Sequence, residues 1–486
     1  MPPIHGSCCC QWKNGETSGW ILDASGRGAV VISGIFLGTA LLYLADIAAG
    51  CLPPNEDIVA DETDQLTGTD ECDGRVYGMK PSSLLAVMGT ITGLLAALTM
   101  PIIGAIIDYT DLRWKFGWYS GLALVVINAV QIALAQSTWL MMAILQVTAG
   151  YIYLIHCVVQ YAYLPELTND DKELTQITAS SNSWQFGTQV CYLIVIIGSA
   201  MAGGLGDVGT ARLSQALVVV YATFTFFYSW MYLMKPRPAL HKLPEGESLI
   251  AIAPKQIKKT LASMYSDYPA VFWTLAGISF AEAGANAFTT IAVTYAKTVL
   301  GMAGSESGLL ILICLIFAVP GSKLFSKLTD RVGAHKSYMM SLVYWAVVTM
   351  IAPFCMHSPE TKSMGYVFGI FWGLGFGWIY PTQRNLFCLI MPCGQESELM
   401  GIYIFAGQIL AWLPPLIFTA MNEAGVSMRW GLFSDAMFFL IALVISYNMG
   451  DFELACMKAK ETSDKRVRAG ADGSVAAGAD KQSNIV

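Results

Sequence analysis

Side chains that could bind or move a proton lie within strongly apolar stretches of this chain. Glu282 lies in "GISFAEAGANAFTT", in which Gly277 and Gly284 would allow close helix approach or local unwinding. A carboxylate in such surroundings costs free energy and tends to mark a functional position. Two interpretations are open. Glu282 takes up and releases a proton, or its carboxyl group is hydrogen-bonded to a neighbouring helix and serves packing.

His156 and Gln160 are one helical turn apart in "YLIHCVVQYAYLPEL" and would share one face of a helix. A histidine there could carry protons at mildly acidic pH, or it could be a core residue with its hydrogen bonds satisfied. Four more amides and an indole lie in other apolar stretches. In a cavity they and Gln160 would bind a small polar solute, whereas between helices they would hold the helices together. They are Asn182, Gln185, Gln189, Gln408 and Trp412.

The composition of the chain predicts that these residues lie in a membrane. Of 486 residues 55% are hydrophobic and only 13% are charged, against about 25% charged residues in ordinary soluble domains. A water-soluble protein of this size cannot hide so much apolar surface in its core. One helical crossing of a bilayer takes about 20 residues. Twelve apolar stretches have this length: 28–50, 82–107, 116–136, 138–163, 184–205, 213–234, 270–299, 306–329, 337–356, 364–391, 399–422 and 430–449.

Basic residues predict the orientation of these spans. An even number of crossings puts both termini on one side, and that side would hold 22 of the 28 Lys and Arg residues. Because Lys and Arg concentrate in cytosolic loops, we expect both termini in the cytosol. The start of the chain has no basic segment followed by an apolar region and a cleavage site, so we expect no removable signal peptide. Nothing in the charge pattern indicates a nucleic-acid partner.

The sequence carries none of the common motifs of enzyme chemistry. It has no P-loop, no nucleophile elbow and no cysteine or histidine spacing typical of a metal site. We therefore expect no enzyme activity, no cofactor and no metal. Cys51 and Cys72 flank the first predicted loop on the non-cytosolic side. They could form a disulfide in an oxidising lumen or stay free.

Sequence landmarks recur at a nearly constant offset, which indicates a duplicated six-helix unit. The offset is 222 for Asp108 and Asp330, 227 for Pro165 and Pro392, and 220 for Gly187 and Gly407. The predicted organisation is a cytosolic segment 1–27, a six-helix bundle 28–234, a cytosolic loop 235–269, a second bundle 270–449 and a disordered cytosolic tail 450–486. The loop holds an interfacial helix or is a plain linker.

Two charged turns lie at matching positions of these halves, "GAIIDYTDLRWK" at 104–115 and "SKLTDRVGAHK" at 326–336. They resemble the G-x-x-x-D-R/K-x-G-R/K-R/K signature of the major facilitator superfamily, with Tyr109, Asp111 and Ser326 as departures. The resemblance implies an all-α membrane protein with twelve transmembrane helices in two pseudo-symmetric six-helix bundles. The matching residues are Gly104, Asp108, Arg113, Lys115, Asp330, Arg331, Gly333, His335 and Lys336.

The carboxylates of these turns suggest a gating role on the cytosolic side. A carboxylate at a helix end can pair with a basic residue or with a facing helix N-terminus, whose partial charge is positive. Such a pair could latch two helix bundles in one state and release them in the other. The alternative is a charged interfacial turn that only fixes the topology.

A narrower resemblance lies at residues 389–418, "LIMPCGQESELMGIYIFAGQILAWLPPLIF". This segment and "YAYLPEL" at 161–167 are similar to the autophagy-linked vacuolar effluxers and their bacterial relatives, although Pro414 stands where that family usually has Gly. The resemblance implies a secondary transporter that moves amino acids from the vacuole to the cytosol by alternating access. Protons are a candidate second partner, with Glu282 and His156 as the coupling residues.

Three questions stay open at this stage. The solute could instead be a sugar, a peptide or another metabolite. The fold could also serve a receptor or scaffold that transports nothing. The vacuolar membrane follows from the resemblance, with the plasma membrane or another endomembrane as alternatives.

Overall fold

The computed structural model describes residues 15–52, 74–167, 171–239, 258, 261–262, 264–391 and 396–458, and these are almost entirely helical. The first six helices are α1 Gly15–Ala48, α2 Leu84–Tyr109, α3 Arg113–Gln131, α4 Trp139–Leu167, α5 Asp171–Gly203 and α6 Asp207–Tyr228. The others are α7 Pro269–Thr298, α8 Gly304–Val332, α9 Ala334–Cys355, α10 Lys362–Ile390, α11 Glu396–Ile409, α12 Leu413–Glu423 and α13 Met428–Tyr447. A π-helical turn, Ser229–Leu233, extends α6.

The predicted all-α membrane fold is confirmed, whereas the count of twelve spans stays a prediction. Eight helices within the described ranges are long and apolar enough to cross a bilayer. The candidate spans are Gly15–Ala48, Pro81–Gly104, Trp139–Leu164, Ser180–Gly203, Asp207–Leu233, Gly304–Val332, Ala334–Cys355 and Met428–Tyr447. The other four predicted stretches overlap α3, α7, α10 and the pair α11 and α12.

Two helices differ in extent from the predicted spans. The first begins at Gly15 rather than at residue 28, so residues 15–27 are helical. The predicted span 399–422 is divided, because α11 ends at Ile409 and α12 begins at Leu413. Pro414 and Pro415 follow directly, and a proline has no N–H to continue the hydrogen bonds of a preceding helix.

Close packing groups the chain into two compact units. The first comprises the described residues within Met1–Leu41 and Ile103–Leu249, and the second those within Leu42–Ile102 and Ile250–Val486. The division passes through α1 and α2, because the end of α1 and most of α2 pack with helices of the second unit. The predicted bundle limits at 234 and 270 therefore stay a prediction. Most of the 235–269 loop and of the 450–486 tail lies outside the described residues.

A stripe of glycines on α10 brings its backbone against α8 in the second unit. A Cβ atom added to Gly373 would lie 2.4 Å from the carbonyl oxygen of Cys314. At Gly377 it would lie 2.1 Å from the carbonyl oxygen of Ala318. Since real Cβ atoms do not approach so closely, only glycine permits this spacing. The stripe fixes the height and rotation of α10, which carries the polar residues Gln383 and Arg384 about two turns after Gly377.

We expect Gly373→Ala to destabilise the protein by about 1–3 kcal/mol, because the added methyl group would force α10 away from α8. Denaturant unfolding in detergent measures the effect. Gly198→Ala on α5 is the matched control, because a Cβ atom there meets no atom within 4 Å. It should be neutral, or stabilising by up to about 1 kcal/mol through helix propensity. Equal losses for the two variants would contradict the packing argument.

Glu423, at the end of α12, joins that helix to the turn before α2 in the second unit. Its Oε1 accepts hydrogen bonds from the Lys80 amide at 2.7 Å and the Ser83 hydroxyl at 2.7 Å. Its Oε2 lies 3.0 Å from the Arg75 guanidinium. Partial burial alone would raise the pKa of Glu423, but these donors and the Arg75 charge outweigh it and hold the pKa below its ordinary value. The ionised carboxylate therefore stabilises the fold.

We expect Glu423→Gln to lose about 1 kcal/mol at neutral pH, since weaker hydrogen bonds replace those to the charge. A lowered folded-state pKa stabilises above the unfolded value of about 4.3 and is lost as the pH falls through the folded value. The difference in thermal stability between the two proteins should therefore shrink below about pH 4.3. The exposed Glu360→Gln is the control. A difference that stays constant from pH 7 to pH 3 would contradict this role.

Candidate functional site

A buried group of charged and polar side chains lies in the first unit, where α1, α3, α4 and α6 meet. We call it the Asp23 cluster. Its members are Asp23, Arg27, Ser120, His156, Gln160 and Trp230. Asp23, His156 and Gln160 each have 0% of their surface exposed. Removing an ion from water costs several kcal/mol, so such a group persists only if its members pair closely.

Asp23 is the centre of this cluster. Its Oδ1 accepts hydrogen bonds from Nε2 of His156 at 2.8 Å and from Nε1 of Trp230 at 2.7 Å. Its Oδ2 lies 3.2 Å from Nε of Arg27, one helical turn further along α1. A carboxylate, two donors and a guanidinium therefore compensate one another away from water.

Arg27 ties α1 to α4. Its Nη2 donates to Oε1 of Gln160 at 2.5 Å, and its Nη1 lies 3.3 Å from Sγ of Cys157. The Gln160 side chain donates in turn to the carbonyl of Trp20 at 3.0 Å. Gln160 therefore acts as an interhelical contact in this conformation, which is the packing alternative for this residue.

The second polar site lies in the second unit, where α7, α10 and α11 meet. Glu282 on α7 is half-buried, and Nε2 of Gln383 donates to its Oε1. The half-buried Arg384, next along α10, interacts electrostatically with Glu282 and is hydrogen-bonded to the Tyr403 hydroxyl. This arrangement sets a carboxylate, an amide and a guanidinium side by side. Unlike the fully buried Asp23 carboxylate, the Glu282 carboxylate is partly accessible from outside the helices.

Small residues let the helices of this site come close. A Cβ atom on Gly407 would lie 3.6 Å from Cγ of Glu282, so α11 passes directly beside the carboxylate. On the other side of α7, a Cβ atom on Gly277 would overlap the Ser446 hydroxyl of α13 at 2.0 Å. The helix α7 is continuous, so its glycines serve close approach rather than unwinding.

Comparisons with known proteins identify the family of the chain. A family model described as "Vacuole effluxer Atg22 like" matches residues 13–453. The chain belongs to this family. A relative named uncharacterized MFS-type transporter YxiO, from Bacillus subtilis, is 20% identical over 374 residues, which cover 76% of this chain and 85% of the relative. Autophagy-related protein 22 of Kluyveromyces lactis is 21% identical over 188 residues, covering 37% of this chain and 38% of that protein.

Solved structures agree with the major facilitator fold. The human organic anion transporter MFSD10 matches with a TM-score of 0.59 at 10% identity, covering 89% of this chain and 99% of its own. A mutant of the nucleoside transporter NupG matches with a TM-score of 0.55 at 11% identity, covering 90% and 100%. At such identities only the fold is shared. The chain is thus a multi-pass membrane transporter of the major facilitator type in the Atg22-like family.

The charged turns of this effluxer-family protein are only partly described. Asp108 belongs to the last turn of α2, and its side chain lies outside the described part. Arg113 is buried, with its guanidinium 5.6 Å from the centre of the Tyr163 ring. Lys115 is exposed and Gly104 has open space beside it. The latch that these residues were expected to form therefore stays a prediction.

The second turn is exposed at the junction of α8 and α9. Asp330, Arg331 and Lys336 all face outward, and Gly333 takes a φ of 88° between the two helices. Asp330 forms no ion pair with another residue in the described ranges. A positive φ of this kind favours glycine, which explains the glycine of this turn.

The remaining predicted contact residues are distributed over three helices. On α5, Asn182 and Gln185 are half-buried and Gln189 is buried. Gln408 and Trp412, both half-buried, lie at the break between α11 and α12.

Cys51 is disulfide-bonded, whereas Cys72 lies outside the described residues.

Sequence reasoning missed four members of the Asp23 cluster, which are Asp23, Arg27, Ser120 and Trp230. The predicted cytosolic segment 1–27 includes Asp23 and Arg27, because the first apolar stretch of spanning length begins after them. Arg27 is also one of the 22 basic residues that predict the orientation. The signal was present in "ILDASGRGAV", where opposite charges stand four residues apart and so share one helix face.

We expect Arg27→Met to destabilise the protein by about 3–5 kcal/mol, because it leaves Asp23 buried without a cation. Adding Asp23→Asn should restore part of the loss, since the double variant removes both charges. Thermal unfolding in detergent compares the single and double variants. Arg331→Met on the exposed turn is the control, with an expected change within about 0.5 kcal/mol. Additive losses in the double variant would contradict the pairing.

Proposed function

We propose that this Atg22-like transporter exports amino acids from a vacuole-type compartment to the cytosol by alternating access. Family membership supports efflux and the vacuolar membrane. In this proposal both termini are cytosolic, and the two charged turns act as cytosolic latches. The domain limits at 28–234 and 270–449 belong to the same proposal.

The observation that carries the proposal is the half-buried site around Glu282. A carboxylate, an amide and a guanidinium meet there among otherwise apolar helices. Such groups recognise a small solute that carries both hydrogen-bond donors and acceptors. Ionisable side chains inside spanning helices also mark substrate and proton pathways. We assign Gln408 and Trp412, at the nearby helix break, as candidate contacts to the solute.

Proton coupling follows from the direction of transport. The lumen of a vacuole-type compartment is acidic, so protons leaving with the solute would drive export. Glu282 is the main candidate carrier, because its carboxylate is partly accessible and lies beside candidate solute contacts. His156 is the second candidate. On α5, Asn182, Gln185 and Gln189 are assigned as further candidate solute contacts.

We expect purified protein in proteoliposomes to exchange labelled amino acids, and an acid interior to drive their net efflux. Glu282→Gln should abolish net efflux driven by the pH gradient, because the amide cannot carry a proton, while gradient-free counterflow persists. Radiotracer flux with pooled amino acids, sugars, nucleosides and dipeptides measures both activities.

Glu360→Gln is the matched control, since this glutamate is exposed and outside the site. It should leave both activities unchanged. Counterflow of sugars or dipeptides without amino acids would contradict the substrate. Gradient-driven efflux that survives Glu282→Gln would contradict the coupling role. Thermal unfolding of each preparation confirms that an inactive variant is folded.

A further inference from the structure

His156 lies in a sealed site in which both ring nitrogens face polar partners. Its Nε2 is 2.8 Å from Oδ1 of Asp23, and its Nδ1 is 2.8 Å from Oγ of Ser120. A Cβ atom on Gly121 would lie 3.4 Å from its Cε1, and the Phe226 ring centre is 4.9 Å away. The side chains in contact with the ring must therefore accommodate any change of protonation.

The Ser120 hydroxyl gives this site two complete hydrogen-bond patterns. When His156 is neutral and carries its proton on Nε2, the hydroxyl donates to Nδ1 and Nε2–H donates to Asp23. When His156 is protonated, Nδ1–H donates to the hydroxyl oxygen. The hydroxyl hydrogen then turns to the Gly117 carbonyl, 3.1 Å away. Since a hydroxyl both donates and accepts, neither state leaves a ring nitrogen unpaired.

The surrounding charges connect this proton to Arg27. Asp23 and Arg27 face the ring from α1, while α3 contributes Ser120, which does not titrate. The side chains that α6 and its π-helical turn contribute, Phe226 and Trp230, carry no titratable group. On its own helix, Tyr153 and Cys157 lie towards Arg27.

With neutral His156 the charges of Asp23 and Arg27 cancel. A proton on His156 would leave one excess positive charge, and Asp23 would be shared between two cations. The attraction between the Asp23 carboxylate and the Arg27 guanidinium would weaken. The guanidinium would then be bound mainly by its hydrogen-bond partners on α4. Those partners are Gln160 and Cys157.

We propose that Asp23 and Ser120 are positioning residues that make His156 a reversible proton-binding site, and that its protonation loosens the contact between Arg27 and Asp23. Asp23 supplies the counter-charge, and Ser120 exchanges its roles as donor and acceptor. This proposal rests on the coupling role given to His156 in the proposed function. It assigns that role to a three-residue arrangement on α1, α3 and α4.

Nitrogen NMR of the full chain, labelled with ¹⁵N-histidine in lipid nanodiscs, tests the site without any solute. The His156 signals are those absent from His156→Gln. We expect them to change reversibly with pH and to report Nε2–H in the neutral form. Ser120→Ala removes the acceptor of the protonated state, so the midpoint of this change should move to lower pH. Ser229→Ala is the control, because its hydroxyl is buried and donates to the Gly19 carbonyl rather than to the His156 ring.

The pH profile of counterflow provides the second readout. We expect its midpoint to shift in Ser120→Ala and in Asp23→Asn, but not in Ser229→Ala or in Glu360→Gln, which lies outside both sites. If Asp23→Asn does not fold, Ser120→Ala decides alone. His156 signals that do not change with pH, or a midpoint that Ser120→Ala leaves unmoved, would overturn the proposal.

The two proposals fail in different ways. If amino acids are not transported but Ser120→Ala shifts the midpoint of the pH-dependent His156 signals as expected, the proton site is supported and the proposed substrate is wrong. If amino-acid efflux persists and the midpoint does not shift, the proposed function stands and the role of Ser120 and Asp23 falls.

Discussion

The cost of placing charge away from water governs both polar sites of this transporter. Each ionised side chain inside a spanning helix needs a partner of opposite charge or several hydrogen-bond donors. In the Asp23 cluster, Arg27, His156 and Trp230 surround one carboxylate. The Glu282 site meets this requirement only in part, since its carboxylate stays half-buried beside Gln383 and Arg384. The carboxylate of the first site is fully buried, whereas that of the second is partly accessible.

Close helix packing determines where these partners stand. The glycine stripe of α10 fixes that helix on α8, and it thereby sets Gln383 opposite Glu282. In the first unit, a Cβ atom on Gly117 would overlap the ring of Trp230. Without that glycine the indole could not lie deep enough to donate to Asp23. Small residues in spanning helices serve this purpose generally, since they let backbones approach.

Periodicity and composition were enough to predict an all-helical membrane protein, because apolar runs of about twenty residues are typical of helices that cross a bilayer. The charged turns and the segment 389–418 were enough for the superfamily and family. The limits of individual helices were less predictable. The start of α1 was missed since Asp23 and Arg27 make residues 15–27 look polar, and their mutual compensation is visible only when α4 and α6 surround them.

The sequence by itself determined that this chain is a membrane transporter of the Atg22-like family, and that Glu282 and His156 were the ionisable groups to examine. Only the tertiary structure decided what those groups contact. It showed that Gln160 is buried and hydrogen-bonds α4 to α1, and that the Arg113 guanidinium packs against the Tyr163 ring of α4. It also showed that Asp23 hydrogen-bonds to His156, which is 133 residues away in the sequence. The physical reason is that burial and pairing depend on neighbours from other helices, which sequence spacing along one helix cannot specify.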